Sequence, residues 1–521
     1  MSLKQVSGGS EVDERLAALL TNANAISAVA QAVEGTIGPK GLDTMLVDRF
    51  GDVVITNAGV TILDKMEVNH PAARMLINVA KAQQEEIGDG TTTATIMAGA
   101  LVAEGVNQVV RGVPVARVIE GLKLGLRLGI ESLQRRARQI QGLDDPQLRR
   151  IAYISGRERA DIADLVVEAA QLVGWEKLQE KSFKLADTII AQEGAENEVF
   201  MGVIVDKERL NQQMPRDISG VRVLVVDDAL EPEEIEDEAL GTEAGFQRYL
   251  ELQREFKSNV EKLIQLGVNL ILVDRGVSAL AEEMLTDAGV MVLRRVAASQ
   301  LRKVAEHCGA RPIKRTGIKK AAAELERYIG RAARAYEDEH LEQVRIVGGQ
   351  GKPLATVLVG AATAEVVGER ERIAKDAASS TQAAVRGGYV PGGGSVELAV
   401  ARDVERARET IKGMASYGVD CVSTALRKPL AQIVQNAGFN PLEKVEDASA
   451  AQVEWGKDSL AINCDTGGVV DMLELGVVDP ALVKIHALRA AGEIAEAILR
   501  IDTIIKKKDD GGGESGFASH E

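Results

Sequence analysis

The sequence Gly88-Asp89-Gly90-Thr91-Thr92-Thr93 is the stretch of this 521-residue chain that says most about its fold and chemistry. Two glycines flank an aspartate, and three threonines follow at the start of a predicted helix over residues 92–110. Free N–H groups at a helix start bind phosphate, and threonine hydroxyls add further donors. A neighbouring carboxylate can hold Mg²⁺, which prefers a few protein oxygens together with phosphate oxygens. The same residues also fit a tight turn with threonine as the helix cap, so both interpretations stay open at this point.

Two other glycine segments are weaker candidates for a binding site. Gly38-Pro39-Lys40-Gly41 follows the first long predicted helix, and taken alone it is best explained as a helix stop followed by a turn. Gly392-Gly393-Gly394 leads into a helix at Ser395 and suits either close backbone approach to a ligand or a hinge. The sequence has no G-x-x-x-x-G-K-[ST] and no G-x-G-x-x-G after a predicted strand, so the common nucleotide fingerprints are absent.

Composition excludes several classes of function. The chain has 78 acidic and 62 basic residues, a net charge of −16, which argues against a nucleic-acid partner because such a partner needs a basic face. No run of 18 apolar residues and no apolar core near the N-terminus occur, so we expect neither a membrane partner nor a secretory signal. Three scattered cysteines and five histidines without metal spacing favour a reducing, cytoplasmic location and no zinc site.

The order of predicted elements indicates a nested domain organisation. Helices are expected at 12–34, 71–86, 92–110 and 114–140, with a hairpin formed by 42–47 and 52–56. The middle has β-rich runs at 222–226, 270–273 and 290–296 with helical patterns between them, including 244–265, which is typical of a parallel α/β segment. Helices return at 365–386, 395–414, 419–435 and 480–505, before a tail, 506–521, that is predicted to be disordered. An α/β domain inserted into a helical domain fits this order.

Taken together, these segments resemble the group II chaperonins of the thermosome type. The resemblance covers essentially the whole chain, and its motifs agree in order and spacing. They are Gly-Thr-Ile-Gly-Pro-Lys-Gly-Leu-Asp at 35–43, Asp-Val-Val-Ile-Thr-Asn at 52–57, His70-Pro71-Ala72-Ala73, residues 88–93, Pro391-Gly392-Gly393-Gly394, Thr466-Gly467, Val470-Asp471-Met472, Asp479-Pro480, Val483-Lys484 and Ala-Ile-Leu-Arg-Ile-Asp at 497–502.

The resemblance implies a multi-domain α and α/β chaperonin fold. A helical equatorial domain would comprise 1–140 and 392–505, a small intermediate domain 141–212 and 360–391, and an inserted α/β apical domain 213–359. A helical protrusion at about 231–257 would act as a built-in lid, and its apolar residues, such as Phe246, are mostly expected to pack rather than face a client. The family assembles as a double ring, commonly of eight subunits per ring, homo- or hetero-oligomeric, that encloses non-native protein clients.

The same resemblance implies a site for ATP or ADP with Mg²⁺, and K⁺ as a further candidate ion. Asp89 would be the Mg²⁺ ligand, and Asp376 would position the attacking water. From the residues alone, Asp376 merely borders an apolar helix stripe. The other implied nucleotide-binding residues are Ile37, Gly38, Pro39, Gly90, Thr91, Thr92, Thr93, Gly392, Gly393 and Asp479, the last reaching the ribose.

The chain departs from the family pattern at two positions. Ala58 stands where the family has an aspartate that helps to position water, and alanine can neither accept a proton nor orient a water. We therefore predict slow ATP hydrolysis. An engineered Asp→Ala change and a natural variant, for instance from the related bacterial group III branch, both remain open as its origin. Arg157 stands where the family usually has a lysine near the γ-phosphate; arginine keeps the charge but changes the geometry.

Three functions fit these features. The first is an ATP-driven folding chamber with Mg²⁺-dependent ATPase activity. The alternative is an ATP-binding holdase ring with little turnover, which Ala58 supports. A small-molecule kinase is the weakest hypothesis, because no acceptor-binding motif is visible in the sequence.

Overall fold

The structure is a computed structural model that describes residues 4–7, 10–13, 15–47, 49–51, 53–233 and 242–507. The chain divides into two compact units, one formed by 1–163 with 375–521 and the other by 164–374. One unit is thus inserted into the sequence of the other, as the order of predicted elements indicates. The chain passes from one unit to the other after residue 163 and again after residue 374. Both positions fall within the segments predicted to form an intermediate domain, 141–212 and 360–391. The division into three domains stays a prediction.

The helices in chain order are α1 (Arg15–Glu34), α2 (Gly59–Lys65), α3 (Pro71–Glu86), α4 (Thr91–Val110), α5 (Val115–Arg136), α6 (Pro146–Ser155), α7 (Ala160–Val173), α8 (Trp175–Gln179), α9 (Glu243–Gln265), α10 (Ala279–Asp287), α11 (Ala298–Cys308), α12 (Ala322–Leu325), α13 (Ala364–Gly387), α14 (Ser395–Arg408), α15 (Ala415–Asn436), α16 (Pro441–Glu454), α17 (Met472–Leu475) and α18 (Ala481–Leu499).

The strands are β1 (Lys4–Ser7), β2 (Ser10–Asp13), β3 (Thr44–Val47), β4 (Val53–Thr56), β5 (Ile189–Glu193), β6 (Glu198–Val205), β7 (Asp217–Val226), β8 (Leu270–Val273), β9 (Met291–Leu293), β10 (Gly330–Asp338), β11 (Gln343–Val347), β12 (Ala355–Ala361), β13 (Tyr389–Pro391), β14 (Leu460–Ile462), β15 (Val469–Asp471), β16 (Val478–Pro480) and β17 (Ile504–Lys507).

The first unit is built around a helical core to which both ends of the chain contribute. Its main cluster of buried side chains comes from α1, α3, α4, α5, α14, α15 and α18. Helices α5 and α15 touch through their backbones: a Cβ atom on Gly121 would lie 1.9 Å from the carbonyl oxygen of Ala415. A Cβ on Gly418 would likewise lie 2.2 Å from the carbonyl oxygen of Val118. Only glycine allows this approach, so these two positions set the spacing of the helices.

Helix α1 is long and apolar enough to cross a membrane by length and composition, with a mean hydropathy of 1.4 over residues 16–34. In the structure, however, Leu19, Ile26 and Val33 are buried in the helical cluster. Close packing on α4 adds to this, since a Cβ on Gly99 would lie 2.8 Å from the Cβ of Ala30. A buried face of this kind is typical of a core helix.

The second unit is an α/β layer structure around one mixed sheet. Its strand order is β5-β12-β6-β11-β10-β7-β8-β9, with parallel pairing between β5 and β12 and along β7-β8-β9, and antiparallel pairing elsewhere. Because successive side chains of a strand point to opposite faces, β7 and β8 contribute to two clusters. Leu224 and Ile271 pack with α9 and α10, whereas Val225 and Leu272 pack with α11.

The sequence predicts the helical parts well and the sheet only in part. The helix at 71–86 and the hairpin are confirmed, and the helix at 244–265 is confirmed as α9 within one residue. The parallel α/β prediction is right for β7-β8-β9, but β12, β6, β11, β10 and β7 are neighbours in this order with antiparallel pairing. The strands β10, β11 and β12 follow one another in the chain with no helix between them, so the strand–helix alternation used for the prediction is missing there.

The predictions at the two chain ends are wrong. Residues Ser10–Asp13 form β2, and α1 begins only at Arg15. The last helix ends at Leu499, and β17 then pairs antiparallel with β2, so that residues 506 and 507 are not part of a disordered tail. A strand that pairs with the far end of the chain has no local signal in the sequence. Residues 508–521 of the predicted tail lie outside the described residues.

The predicted protrusion is only partly visible, because 234–241 lie outside the described residues. From Glu243 onward its residues belong to α9. Phe246 and Tyr249 are exposed, with ring centroids 6.4 Å apart, while Phe256, one of the last residues assigned to the protrusion, is buried in the core of the second unit. Phe246 is therefore not a packed residue in this structure.

His307 makes the stability of the second unit dependent on pH. Its Nε2 accepts a hydrogen bond from the Gly349 N–H at 3.0 Å, which requires a neutral ring, and burial lowers the pKa of His307 from 6.5. The unfolded chain then binds a proton at a higher pH than the folded chain does, so stability falls as the pH drops from 6.5 through the lowered pKa.

We expect the thermal midpoint to fall more between about pH 7.5 and about pH 5.5 in the wild type than in His307→Gln. Glutamine offers an oxygen acceptor to Gly349 but does not titrate, so it is the matched control. Equal decreases in the two proteins would contradict this role of His307.

Candidate functional site

The loop between α3 and α4 has the geometry of an anion site. Gly90 precedes α4 with a φ of 78°, in the left-handed region, and a Cβ there would lie 2.5 Å from Cγ1 of Val483. The N–H groups of Thr91, Thr92 and Thr93 have no intrahelical acceptor because they lie in the first turn, and Gly90 offers no side chain to cap them. These N–H groups and the positive end of the helix dipole favour a phosphate.

Asp89 carries the negative charge of this loop. One carboxylate oxygen accepts a hydrogen bond from Ser380 Oγ at 2.5 Å, and the other accepts one from the Gly90 N–H at 2.6 Å. Burial raises the pKa of Asp89, and the nearby carboxylate of Asp479 raises it further, while these hydrogen bonds and the charge of Lys484 act in the opposite direction. A carboxylate that is costly to ionise gains from a divalent cation beside it.

These surroundings fit Mg²⁺ bound together with a nucleotide. Across the described residues, no group of three or more histidine, cysteine, aspartate or glutamate side chains is placed to hold a metal by itself. Mg²⁺ is commonly held by one or two carboxylates, with phosphate and water oxygens completing its shell. A single carboxylate, Asp89, next to a phosphate-binding helix start meets that requirement.

A second wall of the site comes from the pairing of β13 with β16, in which Val390 lies opposite Asp479. This pairing brings the Gly392-Gly393-Gly394 segment to Asp479: a Cβ on Gly392 would lie 3.1 Å from a carboxylate oxygen of Asp479. Gly393 and Gly394 both have positive φ, and Gly394 starts α14. The structure therefore places two predicted site segments side by side.

Lys484 holds Asp479 in place from inside the protein. Its Nζ lies 2.8 Å from the Asp479 carboxylate and 2.7 Å from that of Glu397, which is only 1% exposed. Burial acts to lower the pKa of Lys484, but the two carboxylates outweigh it and the net shift is upward. The lysine therefore stays charged, as a buried ion-paired cation must.

The loop after α1 and the Gly392-Gly393-Gly394 segment both pack on α15. Gly38 has a φ of 87° and packs on Ile433, while Gly394 packs on Leu430, one turn earlier in that helix. Asn436 of α15 donates hydrogen bonds to the carbonyl of Ile37 at 2.9 Å and to that of Glu34 at 2.8 Å. Ile37 is half-buried, and Gly38 and Pro39 are exposed, so this loop presents a surface rather than core.

Ala58 lies beside the first turn of α4. It is buried, 8% exposed, at the N-cap position of α2, and its N–H donates to Thr56 Oγ1 at 3.1 Å. The next residue, Gly59, is pressed against Thr92, whose Oγ1 would be 2.4 Å from a Cβ on residue 59. A side chain with a carboxylate at position 58 would thus be next to the phosphate-binding helix start.

Asp376 lies on the side of α13 that carries Ser380, and the residue before Arg157 packs on the same helix. Asp376 is one helical turn before Ser380, which is bonded to Asp89. Gly156 packs on Ala377, with 3.6 Å between an added Cβ and the Ala377 Cβ, which brings the following turn to the same helix. In that turn Arg157 and Glu158 have φ values of 54° and 59°, a strained conformation for residues other than glycine that is often found at functional sites.

Four further residues of the site were not predicted from the sequence: Gln83, Ser380, Glu397 and Lys484. Each has at least one partner that is remote in the chain, for example 291 residues away for Ser380 and Asp89. Val483-Lys484 is one of the motifs that carry the resemblance, but the resemblance implies no role for Lys484. This motif is the one sequence signal that points to any of these four residues.

Comparisons with known proteins agree with this fold. A model of the TCP-1/cpn60 chaperonin family matches residues 29–509. The chain is 34% identical to a thermosome subunit of Methanocaldococcus jannaschii, over 94% of this chain and 93% of that protein. It is also 34% identical to the thermosome subunit beta of Archaeoglobus fulgidus, over 95% and 94% of the two chains. A crystal structure of a group III chaperonin in the open state matches with a TM-score of 0.89 and 46% identity, covering 94% of this chain and 99% of that one.

A helical unit interrupted in sequence by an α/β unit is the architecture of a chaperonin subunit. The chain belongs to the TCP-1/cpn60 chaperonin family, and the resemblance to the thermosome type is confirmed. It is a subunit of an ATP-dependent chaperone. The solved structure that it resembles belongs to the group III branch considered from the sequence.

We expect Lys484→Met to destabilise the first unit by about 3–5 kcal/mol, because it leaves two carboxylates next to each other without a cation, one of them fully buried. Thermal or denaturant unfolding measures this loss. The double variant Lys484→Met/Glu397→Leu is the control, since replacing a buried ion pair by apolar side chains is often neutral. A double variant that is no more stable than Lys484→Met would contradict this account of the pair.

Proposed function

We propose that the chain is a subunit of a cytoplasmic double-ring chamber, with eight subunits per ring, that binds ATP and Mg²⁺ and folds non-native proteins enclosed in it. The observation that carries this proposal is the Asp89 loop, where a carboxylate and a helix start with free N–H groups lie together. The three cysteines are free in the structure, and burial raises the pKa of Cys308 and Cys421 to about 12, so these two thiols are unreactive. Unreactive, unpaired thiols suit a reducing compartment.

In this proposal each wall of the site has one task. The N–H groups and hydroxyls of Thr91, Thr92 and Thr93 would bind phosphates, and Asp89 would hold Mg²⁺, whose charge would offset that of the phosphates. Asp479 meets the ribose, and Arg157 approaches the γ-phosphate. The loops that line the nucleotide contribute Ile37, Gly38, Pro39, Gly90, Gly392 and Gly393. K⁺ is a further candidate ion with no residues assigned to it.

In this proposal, positions 58 and 376 affect the hydrolysis of ATP and not its binding. The groups proposed to bind nucleotide are all present, whereas only one carboxylate, that of Asp376, remains to orient water. Positioned acid–base groups contribute roughly 10²–10⁴-fold to a rate. The chain should therefore bind ATP but hydrolyse it slowly, and this favours the second candidate function, a holdase ring with little turnover.

We expect Ala58→Asp to raise the rate of ATP hydrolysis at least about tenfold, because it restores a carboxylate next to α4. Ala58→Asn is the matched control: asparagine has the same size and caps α2 equally well, but cannot act as a base. Steady-state phosphate release measures both rates. Equal rates in the wild type, Ala58→Asp and Ala58→Asn would contradict a role for position 58 in hydrolysis.

The Ala58→Asp protein also separates the two candidate functions. ATP-dependent recovery of a denatured client in the wild type supports the folding chamber. Client binding without recovery in the wild type, together with recovery in Ala58→Asp, supports the holdase. Adding Asp376→Asn to Ala58→Asp should bring hydrolysis back to the wild-type level or below, and an unchanged rate would remove Asp376 from the proposed mechanism.

An exposed apolar surface on the β3–β4 hairpin supports assembly into a ring. Met45 lies opposite Ile55, and Val47 lies opposite Val53, so the four side chains share one face. They are 53–62% exposed, and Phe50 at the hairpin tip is 80% exposed. Contiguous exposed apolar residues of this kind mark a protein–protein contact.

We expect the double variant Met45→Glu/Ile55→Glu to reduce the particle mass from the megadalton range of a ring to smaller species, because it places two charges in the proposed contact. Light scattering after size-exclusion chromatography measures the mass. Met45→Leu keeps the surface apolar and should still assemble. A glutamate variant that assembles like the wild type would exclude this hairpin from the contact.

A further inference from the structure

The buried side chain of Gln83 connects three parts of the first unit at the Asp89 loop. It lies on α3 and is 0% exposed. Its Nε2 donates hydrogen bonds to the backbone carbonyl of Asp89 at 2.7 Å and to that of Val483 at 3.3 Å. Its Oε1 lies 2.6 Å from Nδ1 of His486 on α18. Both N–H donors of the amide and its oxygen are therefore directed at the loop and at α18.

This arrangement fixes the orientation of the amide and the form of the histidine. Two carbonyl oxygens face one end of the Gln83 amide, and carbonyls only accept hydrogen bonds, so the NH₂ group must be at that end. The amide oxygen then faces His486, whose Nδ1 must carry a hydrogen. Neutral His486 in the Nδ1–H tautomer and the protonated ring both satisfy this requirement, so the contact does not depend on pH.

The backbone of Gln83 also holds the loop. Its carbonyl oxygen accepts from the N–H of Ile87 at 3.0 Å and from that of Gly88 at 3.1 Å, which closes the end of α3. With the Asp89 carbonyl held by the Gln83 side chain, the peptide between Asp89 and Gly90 is fixed at both ends, since the Gly90 N–H donates to the Asp89 carboxylate at 2.6 Å. The direction of that carboxylate and of the first N–H groups of α4 follows from this peptide.

We propose that Gln83 and His486 are positioning residues that set the affinity of the Asp89 loop for Mg²⁺-nucleotide. His486 holds the amide of Gln83, and Gln83 holds the peptide of Asp89; neither residue touches the ligand. Removing the His486 donor leaves the amide free to rotate, and the carbonyls of Asp89 and Val483 then lose a fixed donor. The inference rests on the proposed function, because it assumes that the loop binds Mg²⁺ with a nucleotide.

The test compares His486→Leu with His486→Asn in the assembled full-length protein. The side-chain amide nitrogen of asparagine takes nearly the position of Nδ1 and donates, whereas leucine fills the same space without a donor. We expect His486→Leu to weaken binding of fluorescently labelled ADP in millimolar Mg²⁺ about tenfold, the lower end of the range for residues that orient a metal ligand. His486→Asn should bind like the wild type.

Two further measurements separate positioning from general destabilisation. In excess EDTA the difference between His486→Leu and the wild type should shrink, because the metal bound by Asp89 is then absent. Ser132→Ala removes a buried hydroxyl bonded to Asp403 in another part of the helical core, so it should lower the thermal midpoint without changing ADP affinity. Should His486→Leu not fold, Gln83→Met, which is unbranched and of similar length, provides the same comparison.

The outcomes distinguish this inference from the proposed function. A wild type that binds labelled ADP with Mg²⁺, together with a His486→Leu variant of equal affinity, overturns the positioning role alone. An asparagine variant as weak as the leucine variant overturns it as well, since the donor is then not what matters. A wild type that binds no nucleotide with or without Mg²⁺ overturns both the inference and the proposed function.

Discussion

The ion pairs of Lys484 are the interaction on which the site depends. A buried ammonium is tolerated only with its counter-charges in place, so α18, which carries Lys484, must meet both Glu397 on α14 and Asp479 on β16. That meeting sets the Gly392 segment against Asp479 and brings Val483 to Gly90 and Gln83. The walls of the candidate site are therefore fixed by one buried cation, whose ion pairs are with Glu397 and Asp479.

Contacts between distant parts of the chain also hold the discontinuous first unit together. Gln83 and Val483, which share a hydrogen bond, are 400 residues apart, and the second unit is synthesised between them. Contacts of such long separation form late in folding because loop closure precedes them. The loop at Asp89 can be encoded locally by glycines and threonines, but its final geometry exists only after the end of the chain has joined the helical core.

This separation also explains what the sequence could and could not predict. Helices α3 and α4 have local signals, Pro71 at the start of one and Gly90 before the other, and the motif at 88–93 led directly to Asp89. The pairing of β2 with β17, the antiparallel half of the large sheet and the roles of Gln83, Ser380 and Lys484 depend on distant partners. For these the local sequence carries no periodicity or spacing, so even a complete set of motifs leaves them unassigned.

In the proposed function, nucleotide binding and hydrolysis depend on different atoms around position 58. The backbone of Ala58 starts α2, and the next residue, Gly59, is pressed against Thr92 in the first turn of α4. What the alanine lacks is a carboxylate, which as an aspartate would cap α2, worth about 0.5–2 kcal/mol, as well as orient water. The phosphate-binding groups are backbone N–H donors and hydroxyls of other residues, and none of them depends on that carboxylate. In the proposed function, the loss of the carboxylate at position 58 therefore affects hydrolysis and leaves the binding groups in place, because the two tasks belong to different atoms beside one helix start.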